Sequence, residues 1–235
     1  MSAIRILHVD DEPDIREIVE MSLGLHADFE VRACANGADA IAAAAEWSPS
    51  LILLDVMMPG MDGPMTLTHL RNNPRTADIP VLFMTARAQA RELQQFIAMG
   101  AQGVISKPFD PMTLAFSVRS HLQAIRLESL RAVFVRRAKG DAAVLASCRS
   151  ALRREAGPAV ASRIREIAHG LAGAAGLFGF DQISSDAAAL EEVVVARLGG
   201  GGTSQDLTRA LDDLMSRLEG GWDTPRTKRA QSAQA

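Results

Sequence analysis

Five short apolar runs punctuate the first half of the chain: Ile4 to Val9, Phe29 to Ala33, Leu51 to Leu54, Val81 to Met84 and Gly103 to Ile105. Runs of that length, bounded by turn residues, predict strands. Between them lie Pro13 to Gly24, Gly37 to Trp47, Pro64 to Arg71 and Gln89 to Met99, whose apolar positions recur at helical spacing. After the fifth run Pro111 opens a further helix, with Asp110 placed as its N-cap. Five strand-helix alternations with connections long enough for crossovers predict a parallel sheet. Strands that are apolar throughout, such as the LILL of 51–54, predict that helices cover both of its faces.

Beyond Asp110 the strand pattern stops, and Ala, Leu and Arg recur with a helical period. The predicted helices are Pro111 to about Arg137, Asp141 to Arg154, Pro158 to Gly176, Gln182 to Leu198 and Ser204 to Leu218. Breaks are expected at Lys139-Gly140, Gly157-Pro158 and Gly199 to Gly202. Four helices joined by short loops predict an up-and-down bundle. The expected organisation is therefore α/β plus all-α: a doubly wound parallel sheet over residues 1–125, a four-helix bundle over 126–220, and a disordered polar tail over 221–235.

A chain of 235 residues that is 48% hydrophobic and 23% charged is not disordered as a whole. Its longest stretches without Asp, Glu, Lys or Arg, Leu93 to Ser106 and Ile167 to Phe180, are each 14 residues. That is short of the roughly 18 to 20 a membrane-spanning helix needs. MSAIRILHVDDE has no basic head, apolar core and cleavage site, so no secretion signal is expected and the cytoplasm is the expected compartment. Cys34 and Cys148 lack the spacing of a zinc site or a disulfide framework and are expected to be buried small hydrophobes. The net charge of −3 hides an asymmetry: fifteen acids stand against nine bases up to residue 125, and thirteen against sixteen beyond it. The acidic half excludes a protein that coats nucleic acid along its whole surface, and the mildly basic half suits either DNA or an acidic protein surface.

In open parallel sheets ligands bind beyond the carboxyl ends of the strands. There the first run ends in Asp10 and Asp11, the third in Asp55, the fourth in Thr85 and the fifth in Lys107-Pro108, while the second contributes nothing comparable. Each residue alone reads as a turn former, a cap or a surface side chain. Together, three carboxylates, a hydroxyl and an ammonium converge at one sheet edge. Crowded carboxylates repel unless a cation lies among them, and a hard oxygen site suits Mg²⁺. Mg²⁺, a Lys and a Thr hydroxyl can divide the oxygens of a phosphoryl group. Asp55, ending the most hydrophobic strand, is then the candidate nucleophile, and Asp10 and Asp11 are placed to hold metal. Met57, Met58, Met61 and Met65 read as packing around the loop after the third strand, not as sulfur ligands.

VDDE, LLDVMMPGMDG, MTA and KPF stand here in the order and spacing of the response-regulator receiver domain, which residues 1 to 125 resemble. The resemblance implies a flavodoxin-like (βα)5 fold. It also implies Asp10 and Asp11 as Mg²⁺ residues, Asp55 as phosphoacceptor, Thr85 as switch hydroxyl, Lys107 as phosphoryl partner and the Met57 carbonyl as a further metal ligand. The family often carries an aromatic residue three positions before the lysine, where this chain has Val104, which cannot make the same swing.

On the helix from Pro158, at about 100° per residue, Val160, Ile164, Ile167, Leu171, Ala175 and Phe178 share a core stripe. His169 lies about 180° from its centre and is expected to face solvent, with Arg165, Ala172, Gly173 and Gly176 around it. Gly170, Gly173 and Gly176 each cost the helix roughly 1 kcal/mol relative to alanine, which either close approach of a partner or tight packing inside the bundle would explain. AHGLAGAAGLFGF resembles the core motif of the histidine phosphotransfer domain, with Ala168, His169, Leu171, Gly173 and Gly179 matching. That resemblance implies His169 as the phosphorylated residue. Ala172 departs from the family's usual lysine, and Arg163 or Arg165 can supply charge instead.

Joined, the halves predict a two-component phosphorelay protein, phosphorylated on Asp55 with Mg²⁺ and carrying or relaying phosphate through His169. The implied partners are a sensor or hybrid histidine kinase and other receiver domains docking at His169, with no membrane and no nucleic acid. No P-loop or kinase glycine-rich loop stands in the sequence, so it is not expected to be an ATP-dependent kinase. One rival makes the second half a dimerising or DNA-binding output module with the arginines 149, 153 and 154 as its only recognition residues. Another makes Asp55 the nucleophile of an aspartyl phosphatase, a chemistry that usually places a second Asp where Met57 stands.

Overall fold

The computed structural model describes residues 3–86, 90–152, 154, 157–220 and 222. They divide into two units, Met1–Leu127 and Glu128–Ala235. In the first, β1 (Ile4–Val9), α1 (Pro13–Gly24), β2 (Phe29–Cys34), α2 (Gly37–Trp47), β3 (Leu51–Asp55), α3 (Gly63–Asn72), β4 (Val81–Thr85), α4 (Ala90–Ala98) and β5 (Gly103–Ser106) alternate along the chain. The five strands pair in parallel in the order β2-β1-β3-β4-β5. This is the flavodoxin-like doubly wound order, whose reversal at β1/β3 opens a crevice beyond the strand ends.

Each strand splits its side chains between two apolar layers. Leu7, Val9, Ile52, Leu54, Val81 and Phe83 pack with Ala40, Ala44, Leu67 and Leu70 of α2 and α3. Ile6, Leu51, Leu53, Leu82 and Met84 pack with Val19 and Leu23 of α1 and with Leu114 and Val118. Burial on both faces is why β3 is apolar at every position before Asp55. Strands β2 to β5 each extend one residue past the apolar run, because backbone pairing continues through Cys34, Asp55, Thr85 and Ser106. The helix expected from Gln89 is observed from Ala90, and Gln89 lies outside the described residues.

The second unit is all-helical. α5 (Pro111–Leu152) starts behind Asp110, whose carboxylate accepts from the Met112 N–H at 2.9 Å. It is one helix where two were expected, running through Lys139-Gly140. A single glycine costs a helix only about 1 kcal/mol, and Ala138 and Leu145 on either side are buried in the same core. The C-terminal part of α5 joins α6 (Pro158–Ala175), α7 (Asp181–Leu198) and α8 (Ser204–Gly220) around a core that includes Ile164, Leu171, Ile183, Leu190, Leu211 and Leu214. Gly179, at φ +78°, ends the 3-10 turn after α6 in a conformation that favours glycine and leads the chain into α7. Trp222 departs from the expected disorder of 221–235: it packs edge-on to Phe180 at 5.4 Å and lies against the bundle core. The other residues of that segment lie outside the described ones.

Candidate functional site

Loop and helix starts aim three strand ends at one point. Asp55 is the last residue of β3, and α3 closes directly on it: a Cβ on Gly63 would run into the Asp55 carbonyl, so the approach requires glycine. Asp10 follows β1, and its backbone N–H still pairs with Cys34 O at 3.1 Å. Lys107 follows β5, its N–H donating to Thr85 O at 2.7 Å.

The Lys107 ammonium donates to Asp10 Oδ2 at 2.6 Å and to Asp55 Oδ1 at 2.5 Å. The side chains of Asp10 and Asp55 are 0% and 6% exposed, so this is a buried triad. The second Asp55 oxygen accepts from the Met57 N–H at 2.7 Å. Asp10 Oδ1 accepts from the Glu12 N–H at 3.1 Å, and the Arg16 guanidinium donates to the Asp10 carbonyl at 2.7 Å.

The two acids respond in opposite directions. Burial pushes Asp55 up, and the Asp10 charge adds to it against the pull of Lys107 and the Met57 N–H. Burial pushes Asp10 the same way, but the neighbouring His8, Lys107 and the Glu12 N–H outweigh it and hold it below the usual carboxylate range. Lys107 loses by burial and gains more from its two carboxylates, so it is raised. Asp55 is thus a buried carboxylate beside a fixed cation, an arrangement that can take up an anionic electrophile.

Thr85 is buried at the end of β4, next to Met84, which pairs with Asp55. Asp11 is half-buried. Among the described residues no group of three His, Cys, Asp or Glu side chains is already set to hold a metal ion, and Lys107 bridges Asp10 and Asp55. The Met57 side chain is 78% exposed and that of Met65 is exposed too, so only Met58 of the four methionines is fully packed. Val104 is half-buried and packs in the α2/α3-side layer. Cys148 is buried and Cys34 half-buried, both as free thiols.

On α6 the buried stripe is Ala161, Ile164, Ile167, Ala168, Leu171 and Ala175, with Val160 and Phe178 at its margin. His169 projects away from it, its side chain 77% exposed. Its Nδ1 lies 3.0 and 3.2 Å from the two carboxylate oxygens of Glu191 on α7. Glu191 was not legible in the sequence. It follows the core residue Leu190, a flank position whose meaning depends on the α6/α7 register. A Cβ on Gly170 or Gly173 would meet nothing within 4 Å, which removes packing inside the bundle as their reason. Ala172 is partly buried against the core, not on the outer face. Arg163 and Arg165 are both exposed, and Arg163 is tied to Glu166 at 2.8 Å.

Residues 6–119 match the response regulator receiver domain family, and residues 129–221 match the Hpt domain family. The chain therefore belongs to the two-component signalling proteins, as a receiver domain followed directly by an Hpt domain. It is 39% identical over 119 residues to the DNA-binding dual master transcriptional regulator RpaA of Synechocystis sp., covering 51% of this chain and 49% of that one. It is 40% identical to the response regulator Rre1 of the same organism, covering 51% and 52%. The chain spans about half the length of these relatives. Among solved structures, the Vibrio cholerae chemotaxis protein CheY4 is 32% identical with a TM-score of 0.48, covering 51% of this chain and 98% of that one. Receiver-family membership implies Mg²⁺-dependent phosphoryl chemistry. Among the described residues no helix is long and apolar enough to cross a membrane.

Proposed function

We propose that this protein is a phosphorelay component that accepts a phosphoryl group on Asp55 and carries or relays phosphate through His169. The observation that carries the reading is the buried Asp10–Lys107–Asp55 triad at the sheet's carboxyl edge. Its oxygen donors are hard and anionic, which fits Mg²⁺ held by Asp10, Asp11, Asp55 and the Met57 carbonyl. That ion, when bound, supplies positive charge against the oxygens of the transferring group.

An Asp55 oxygen attacks phosphorus, the bond from phosphorus to the donor's nitrogen or oxygen breaks, and the donor leaves with the electron pair. Lys107 turns to a phosphoryl oxygen and the Thr85 hydroxyl to another. At His169, Glu191 holds the proton on Nδ1, so Nε2 carries the free lone pair and projects from the helix. Nε2 attacks the phosphorus of an aspartyl phosphate on a docked receiver, the acyl P–O bond breaks, and the carboxylate leaves. Glu191 then faces the positive ring that results. Arg149, one of three arginines that a recognition helix would need, is paired with Asp212 at 3.0 Å, which supports this reading over a DNA-binding output module. The partners on this reading are a sensor or hybrid histidine kinase and other receivers.

Wild type, Asp55→Ala and His169→Ala, treated with a small phosphoramidate and Mg²⁺, test the reading by the acid and alkali stability of bound phosphate. Alkali-labile label that vanishes in Asp55→Ala supports the receiver site. Transfer from a phosphorylated receiver to give alkali-stable label that vanishes only in His169→Ala supports the relay. Normal uptake by Asp55→Ala refutes the first assignment.

A further inference from the structure

His8 is the one polar side chain in the buried part of β1, the run Ile6 to Val9, whose Ile6, Leu7 and Val9 are all fully buried. The imidazole is itself 0% exposed, and neither ring nitrogen has a hydrogen-bond partner among the described residues. An unsatisfied buried donor costs free energy that an apolar side chain of similar size would not, so its presence calls for a reason. A neighbouring carboxylate supplies one. Nε2 lies 3.7 Å from Asp10 Oδ2, too long for a hydrogen bond. That oxygen is the one on which the Lys107 ammonium sits at 2.6 Å.

We propose that His8 is a positioning residue for the phosphorylation site, a reserve donor that takes Asp10 Oδ2 when Lys107 leaves it. The inference rests on the reading of Asp55 as phosphoacceptor. In the resting protein Lys107 spans Asp10 and Asp55 and satisfies both. Once Asp55 carries a phosphoryl group, the negative charge lies on the phosphoryl oxygens and the ammonium follows it. Asp10 Oδ2 is then a buried anionic oxygen short of a donor. Less than an ångström of movement brings an N–H at Nε2 into hydrogen-bond range of it. No proton is transferred. The carboxylate keeps its orientation, and a cation held by Asp10 keeps its ligand, in the way that outer-shell partners fix the groups that touch a metal.

Two substitutions separate this role from space filling. His8→Leu keeps the bulk and removes the donor, while His8→Gln puts an amide N–H near the position of Nε2. Calorimetric titration of the full chain with Mg²⁺, in the presence of beryllofluoride as a phosphoryl mimic, is expected to show roughly tenfold weaker Mg²⁺ binding in His8→Leu and near-complete recovery in His8→Gln. His8→Leu is expected to be at least as resistant to urea as wild type, because it removes an unpaired buried group. In wild type the His8 ring ¹⁵N resonance of Nε2 is expected to move on adding Mg²⁺ and beryllofluoride. Mg²⁺ affinity in His8→Leu within about twofold of wild type, or a ring resonance that stays fixed, overturns the inference. If His8→Leu does not fold, the resonance and His8→Gln decide it alone. Asp55→Ala is the control for the underlying reading: if it takes up beryllofluoride as wild type does, the phosphoacceptor assignment fails and this inference falls with it. Beryllofluoride uptake that depends on Asp55, with Mg²⁺ binding indifferent to His8, defeats only the inference.

Discussion

Replacing Lys107 by alanine leaves two buried carboxylates facing each other with no cation between them. Truncating one member of a buried ion pair typically costs about 3–5 kcal/mol. Here the cost has a ceiling, because a proton on Asp55 can stand in for the ammonium. Asp55 already lies above its ordinary value of 3.8. At roughly 1.4 kcal/mol per pH unit, protonating it at pH 7 costs at most about 4 kcal/mol, and near pH 4.5 at most about 1 kcal/mol. The expected loss for Lys107→Ala is therefore about 2–4 kcal/mol at pH 7, which weakens the sheet unit without unfolding it.

The sign with pH follows from proton binding. In the variant Asp55 is raised further, so its folded state binds more protons than its unfolded state and loses stability as pH rises from about 4. In wild type Lys107 is raised above its ordinary value of 10.5, so its contribution is complete below that value and is lost as pH climbs through the folded one. The gap between the two proteins thus opens from acid to neutral pH, stays open, and closes again above about pH 10.5. Millimolar Mg²⁺ narrows it by restoring positive charge. Urea unfolding followed by Trp47 fluorescence in a Trp222→Phe background reads the first unit, since the chain has one tryptophan in each unit. A gap that ignores both pH and Mg²⁺ refutes the electrostatic account and leaves Lys107 as a packing residue.

Asp55→Asn is expected to lose phosphoryl uptake and to stabilise the first unit at pH 7, because an acid raised by burial costs stability once ionised; lower urea resistance in Asn would contradict this. Glu191→Ala frees Nδ1 of His169 and is expected to slow phosphoryl transfer about tenfold with unchanged thermal stability, as stopped-flow transfer and melting would show. Gly173→Ala is expected to stabilise the bundle by about 0.5–1 kcal/mol, and Gly173→Leu to fold as well yet transfer at least tenfold more slowly; equal transfer rates in all three proteins would remove the docking role from this face.

Element order was legible because each strand of the sheet is buried on both faces, which leaves an unbroken apolar run that turn residues frame. Strand ends were not, since Asp55 and Thr85 are polar and the ladder includes them regardless. Gly140 looked like a helix stop, but its local cost is small against the core contacts that Ala138 and Leu145 make on either side. The exposed posture of His169 followed from helical angle alone. Its partner Glu191 depends on how two helices pack, and His8 hid inside a strand because a lone histidine among apolar residues reads as core. The Lys107 bridge between Asp10 and Asp55 was not legible, because it depends on how the ends of β1, β3 and β5 come together in space.

The two proposed phosphoryl carriers have opposite shapes. Asp55 is 4% exposed at the end of β3, and His169 stands out from a helix flank. A projecting ring reaches a recessed carboxylate only if the helix behind it comes close, and any side chain one turn away on the same face would hold it off. Gly173 is one turn on from His169, and Gly170 adjoins it. Net charge is a weaker guide to docking, since Arg149, Arg163 and Arg217 of the basic half are each committed to a local acid. Surface pairs of this kind are screened within about 10 Å at ordinary salt. On the proposed reading, bare backbone beside the imidazole is therefore expected to carry more of the recognition than the charge difference between the halves.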